Sequence, residues 1–195
     1  MADIVWPSVA TPYEFSLKRY TKVFRATSVF GKSGQNIDML NDRWTISCSV
    51  GIRSKEDSPA LEAFVNSLRS GSGIVLCHHF SRSVIRGVLT NPTTQAISKG
   101  SETLILNVQP GNYLKAGDML GVGTQLYQVV LDCSTTTNTL VAPVILRPRA
   151  DISAGLSVIT SEPTGRFRLS SEASTTFGPG GAIMGTTLEL VEVVN

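Results

Sequence analysis

From Trp44 to Val50 every second side chain is apolar: Trp44, Ile46, Cys48 and Val50 alternate with Thr45, Ser47 and Ser49. Successive side chains leave a strand on opposite sides, so a period of two marks a strand with one face buried and one face wet or in an interface. Strand signals of this kind dominate the chain. Residues 14–24 (EFSLKRYTKVF) and 35–40 flank a loop that carries Gly31 and Gly34, which predicts a long N-terminal hairpin with a wide tip. Residues 43–52 are predicted as a further strand, and residues 183–194 as a last strand that ties the C-terminus into a sheet.

One helix interrupts this pattern. Asp57, Ser58 and Pro59 form a start signal, with a capping side chain followed by proline where its missing N–H costs nothing. Leu61, Phe64, Val65 and Leu68 then fall at i, i+3, i+4 and i+7, one apolar stripe, and Gly71 is the expected left-handed stop. So short a helix is not stable alone and must pack on the sheet.

Between Val84 and Arg149 short strands recur at a spacing of roughly 8–12 residues, as in a small closed β unit. The expected organisation is a main domain of residues 1–83 and 151–195 interrupted by a β subdomain of residues 84–150. Residues 155–160 and 166–169 are assigned to strands of the main domain, and residues 176–181 to a glycine loop. The fold class is mainly β.

Composition narrows the functions. Of 195 residues only 16% are charged, against roughly 25% in an ordinary soluble domain. The 22 Ser and 19 Thr take their place, and 42% of residues are hydrophobic. Such a surface suits a β-rich protein that buries much of itself against partners. A net charge of +2 excludes an obligate polyanion binder of the histone type and an acidic disordered tail. The chain shows no targeting signal and no apolar run near the roughly 18 residues of a membrane span, so a soluble protein made in the cytosol is expected.

Sequences that resemble chemical motifs have simpler explanations. Gly31, Lys32 and Ser33 echo a phosphate loop, but the required earlier glycine is Ala26 and a strand follows, so a hairpin tip is expected. Gly121-Val122-Gly123 lacks the third glycine of a dinucleotide site and reads as a tight turn. Cys77, His78 and His79 are the one histidine cluster; zinc would need a further ligand such as Cys48 or Cys133, and spacing supports neither. No nucleophile elbow is present. No catalytic residue, cofactor or metal is therefore expected. Lys18, Arg19, Lys22 and Arg25 gather on the first hairpin, as a solvated face, as an electrostatic contact with another copy or a neighbouring ring with Glu189 and Glu192 of the last strand as complements, or as a weakly basic wall of a lumen.

Several segments, in order along most of the chain, resemble a known family. They are Trp6-Pro7-Ser8, Phe15-Ser16-Leu17, Gln35-Asn36-Ile37-Asp38, Asp42-Arg43-Trp44, and the helix from Pro59 to Phe64 with its exit Leu68-Arg69-Ser70-Gly71. Leu114-Lys115-Ala116-Gly117-Asp118, Leu126-Tyr127-Gln128-Val129 and Pro163-Thr164-Gly165-Arg166-Phe167-Arg168-Leu169 complete the set. Together they resemble the small distal tail proteins of long-tailed bacteriophages. Residues 170–185 and Cys77-His78-His79 depart from that pattern. The resemblance implies a structural virion protein at the tail tip, a β-sandwich ring domain with one helix and a long hairpin, and an outward β domain. It implies a homo-oligomeric ring, six-fold in the family, joining the tail tube protein to the hub protein and fibres, with DNA only passing through the lumen. Alternatives are another tail ring, tube or joining protein, or a carbohydrate-binding module using Trp6, Tyr13, Tyr113 or Tyr127 as an aromatic platform.

Overall fold

The computed structural model describes residues 3–21, 23–27, 34–38, 42–51, 55–68, 72–177 and 183–193. In chain order the first elements are β1 (Ile4–Val5), β2 (Pro12–Tyr20), β3 (Val23–Thr27), β4 (Gly34–Asp38), β5 (Arg43–Val50), α1 (Ser58–Ser67) and β6 (Val75–His78). Eight short strands follow: β7 (Thr93–Thr94), β8 (Thr103–Asn107), β9 (Tyr113–Leu114), β10 (Met119–Val122), β11 (Gln125–Gln128), β12 (Cys133–Ser134), β13 (Thr139–Pro143) and β14 (Val158–Ile159). β15 (Thr164–Leu169), β16 (Ser174–Phe177) and β17 (Ile183–Glu192) close the chain. The fold is mainly β, with several sheets and, among the described residues, one α-helix.

The main sheet runs β1-β6-β15-β17-β5-β2, with β16 also paired to β17. Every pair is antiparallel except β1–β6. The alternation seen in sequence is realised here. Trp44, Ile46, Cys48 and Val50 are buried, Leu188 and Leu190 line up beside them, and Leu169 and Phe167 continue the same face. α1 covers part of that face with Leu61 and Phe64, and Leu68 just beyond its end is also buried. Trp6 packs edge-on against both Phe64 and Phe80, at ring separations of 5.2 and 5.1 Å. The chain enters α1 through a 3-10 turn at Lys55–Asp57, so Asp57 has helical dihedrals (φ −83°, ψ −12°) instead of the extended geometry of a cap. Gly71, the expected stop, lies outside the described residues. Gly73 packs closely against the end of α1: its N–H donates to Leu68 O at 3.0 Å, and a Cβ there would lie 2.7 Å from Ser67 O.

The N-terminal hairpin is longer than the sequence pattern indicates. β2 pairs along its whole length with β5, from Pro12↔Val50 to Tyr20↔Arg43, and β3 pairs with β4 from Val23↔Asp38 to Thr27↔Gly34. The strand at residues 43–50, read as a separate element, is the return arm. Alternation shows which face of a strand is buried and leaves its partner open. The tip, with Gly31, Lys32 and Ser33, lies outside the described residues. Ser174–Phe177 is a strand that pairs with β17, so Thr176 and Phe177, read as the start of a glycine loop, are strand residues.

The second β unit also extends further than residue 150. Ile152 bridges Ile97, Ser157 bridges Thr93, β14 pairs with β10, and Ser161 bridges Val84. The segment at residues 155–160 therefore belongs to this unit, and the chain rejoins the main sheet at Thr164. The unit has its own core, including Leu104, Leu106, Leu120, Tyr127, Leu140 and Val158. It shares a wall with the main core. In the β10–β11 hairpin Met119 and Leu126 join the main cluster, whereas their neighbours Leu120 and Tyr127 join the second one. A strand buried on both faces has no polar side to show, and β10 is buried at all four positions.

Candidate assembly interface

The opposite face of the main sheet carries no covering layer among the described residues. Cross-strand partners share a face, so the register gives its rows directly. One row is Lys18, Thr45, Val191 and Arg168; the next is Ser16, Ser47 and Glu189; a third is Glu14, Ser49 and Thr187. Lys18, Ser47, Thr187, Glu189 and Arg168 are exposed. At one end Arg43 stands over the Tyr20 ring, 5.3 Å from its centroid, beside a shallow hollow of about 480 Å³ lined also by Thr45, Arg168 and Val191. Lys18, Arg43 and Arg168 make no ion pair with any described residue. The face is thus rich in hydroxyls, basic toward Arg43 and Arg168, and acidic toward Glu14 and Glu189.

The residues expected to build an interface divide. Lys18 and Glu189 lie on this open face, two strands and one row apart. Arg19 does not: it is paired opposite Trp44 and points to the other side, where its Nε donates to Asp42 Oδ2 at 2.9 Å. Lys22 lies outside the described residues, and β3 places the Arg25 backbone opposite Asn36 without describing its side chain. Glu192 is corrected outright. Its side chain is 1% exposed and accepts hydrogen bonds from Arg149 Nη2 at 2.8 Å and from Trp44 N at 2.9 Å. Burial raises its carboxyl above its ordinary value despite those partners. Glu192 has the parity of Leu188 and Leu190, and that spacing was the available signal. Arg43 and Arg168 were missed because nothing in the chain announces which strands become neighbours.

Cys77, His78 and His79 pack against apolar and aromatic side chains in this geometry. Cys48 and Cys77 are buried in the main core, and burial pushes the Cys48 thiol up to about 12 and raises Cys77 as well. His79 lies against Phe15 and His78 against Phe80, at ring separations of 5.0 and 4.4 Å. Among the described residues no three His, Cys, Asp or Glu side chains group as metal ligands. The aromatic residues weighed for a sugar platform separate: Tyr127 is buried, Trp6 is packed between Phe64 and Phe80, Tyr113 is half-buried and Tyr13 is exposed.

The two histidines are expected to make stability depend on pH. Burial lowers both, Arg82 lowers His79 further, and Glu162 partly offsets the effect at His78. A depressed folded-state value means that the contribution is complete above the ordinary value of 6.5 and is lost as pH falls through the folded values. In urea denaturation at pH 7.5 and 5.5 the parent is expected to lose more stability on acidification than the H78Q/H79Q variant, because the opposite contribution of buried Glu192 is common to both. An equal difference in both proteins would assign the pH dependence elsewhere.

Among the described residues no helix is long and apolar enough to cross a membrane. A scan against protein-family models finds no match for the chain, and a search of curated proteins finds none either.

Proposed function

We propose that the chain is a structural virion protein that assembles through its open sheet face and N-terminal hairpin into a ring at the distal end of a phage tail. The carrying observation is the uncovered face of the seven-stranded sheet, whose one end is basic and other end acidic. A ring needs a heterologous contact, in which one surface of each copy meets a different surface of the next. A polar face with charge at both ends suits that role, because charge sets register while buried area supplies most of the energy. β3 and β4 pair only with each other among the described strands, which leaves them available as an arm toward a neighbour. In this reading the ring is six-fold, the tail tube protein docks on one side, and hub and fibre proteins dock on the other.

Reversing Lys18 and Arg168 to Glu tests the reading without touching the core. The variant is expected to keep the fold by circular dichroism and to weaken self-association at least tenfold, about 1.4 kcal/mol, in sedimentation experiments. A wild-type chain that stays monomeric at all concentrations and makes no rings in electron micrographs would overturn the proposal.

A further inference from the structure

Two arginines converge on a cleft that the ring reading does not use. It is about 550 Å³ in volume and lies where the turn after β6 meets the second β unit. Its floor is Gly117. A Cβ placed there would lie 3.3 Å from Arg82 Nη1, 3.5 Å from Arg86 Nη2 and 3.9 Å from Gln128 Nε2. Three N–H-bearing groups, two from the stretch after β6 and one from β11, therefore surround one point.

The carboxylate next to that point is already spent. Asp118 Oδ1 accepts from Arg86 N at 3.0 Å and Arg86 Nε at 3.4 Å, and Oδ2 accepts from Gly87 N at 3.0 Å and Lys115 N at 2.9 Å. A carboxylate offers about four acceptor sites, and all are filled. Lys115, the neighbouring cation, is neutralised by Asp132 at 3.0 Å. Arg82 makes one long hydrogen bond, 3.5 Å to Gly117 O, and no ion pair with any described residue. Arg86 Nη2 donates to Ala116 O, and the side chain is 66% exposed. Two guanidinium groups thus face the cleft with one saturated counter-charge, and both keep open N–H groups. Val84 and Val130 form apolar walls, 62% and 43% exposed.

We propose that this cleft binds a carboxylate side chain of a partner protein, an Asp or Glu flanked by aliphatic residues. Planar guanidinium groups match a carboxylate through paired N–H donors. The apolar walls select a peptide over a bare inorganic anion, because they would cover the neighbouring aliphatic side chains.

The test is an NMR titration of the full chain with the peptide acetyl-Val-Glu-Val-amide, using acetyl-Val-Gln-Val-amide and inorganic phosphate as comparisons. The Glu peptide is expected to shift the Gly117 amide and the arginine Nε–H signals saturably, the Gln peptide to leave them in place, and R82Q to weaken binding at least tenfold. R82Q loses only one 3.5 Å bond, so its spectrum elsewhere is expected to match the parent. Equal responses to both peptides, no saturable shift, or unchanged binding in R82Q would overturn the proposal. Saturation by phosphate with the Glu peptide silent would also overturn it and assign the cleft to phosphate. None of these outcomes depends on ring assembly, which is read from Lys18 and Arg168.

Discussion

Arg149→Leu is expected to remove about 3–5 kcal/mol of folding stability, the usual cost of leaving one partner of a buried ion pair alone. Arg149 ties three parts of the molecule together. Its Nη2 donates to Glu192 Oε2 at 2.8 Å and to Asp42 O at 2.6 Å, and its backbone N donates to Gln125 Oε1 at 3.4 Å. It therefore clasps the last strand, the start of β5 and the second β unit. Nearby, Trp44 Nε1 donates to Leu126 O at 2.9 Å across the same junction. Without the guanidinium, the Glu192 carboxylate keeps only the Trp44 N–H. Its carboxyl is already raised by burial and would rise further. A raised folded-state value gives stability that is present below the unfolded value and lost as pH rises through the folded one. The deficit in Arg149→Leu is therefore expected to be larger at pH 8 than at pH 5. Chemical denaturation at the two pH values measures both effects, and Glu192→Gln in the same background is expected to recover much of the loss. A loss below about 1 kcal/mol with no pH dependence would show that the clasp contributes little.

Phe64→Ala is the second large effect, expected at about 3–5 kcal/mol. Phe64 is 6% exposed and meets Trp6 edge-on, while Trp6 also touches Phe80. Phe80 in turn meets Phe15 of β2 at 5.3 Å. The cavity would therefore open beneath α1 and loosen aromatic contacts that join the N-terminal segment to the turn into the second β unit. Ala preserves helix propensity, so the loss would report packing. A measured loss below about 1 kcal/mol would mean that the stripe on α1 is not core. Trp6 fluorescence is expected to change with the cavity, since its edge-to-face partner is gone.

What could be read from the chain was local. The alternation around Trp44–Val50 gave the buried face of β5, the Leu61, Phe64 and Leu68 spacing gave the inner side of α1, and the short spacings after Val84 gave a second β unit. These signals are legible because burial imposes the period of the backbone itself, two for a strand and 3.6 for a helix. Of the charged residues weighed as contacts, Lys18 and Glu189 lie on the open face of the sheet, and Arg19 and Glu192 point to the other. In both cases a charged residue shares the parity of the apolar ones before it, Phe15 and Leu17 or Leu188 and Leu190.

Partnership lay beyond local reach. β2 finds β5 rather than the nearer β4, and β14 joins β10 rather than the main sheet. The guanidinium of Arg149 meets Glu192, 43 residues away, and Arg82 meets Gly117, 35 residues away. A backbone period specifies only which side of an element faces inward. Which element lies there depends on how all the apolar faces can be buried at once, and on which charges then find partners. The sequence by itself therefore determined a β-rich chain with one packed helix and a hydroxyl-rich surface, and the tertiary structure alone decided where its buried charge, open face and arginine cleft would stand.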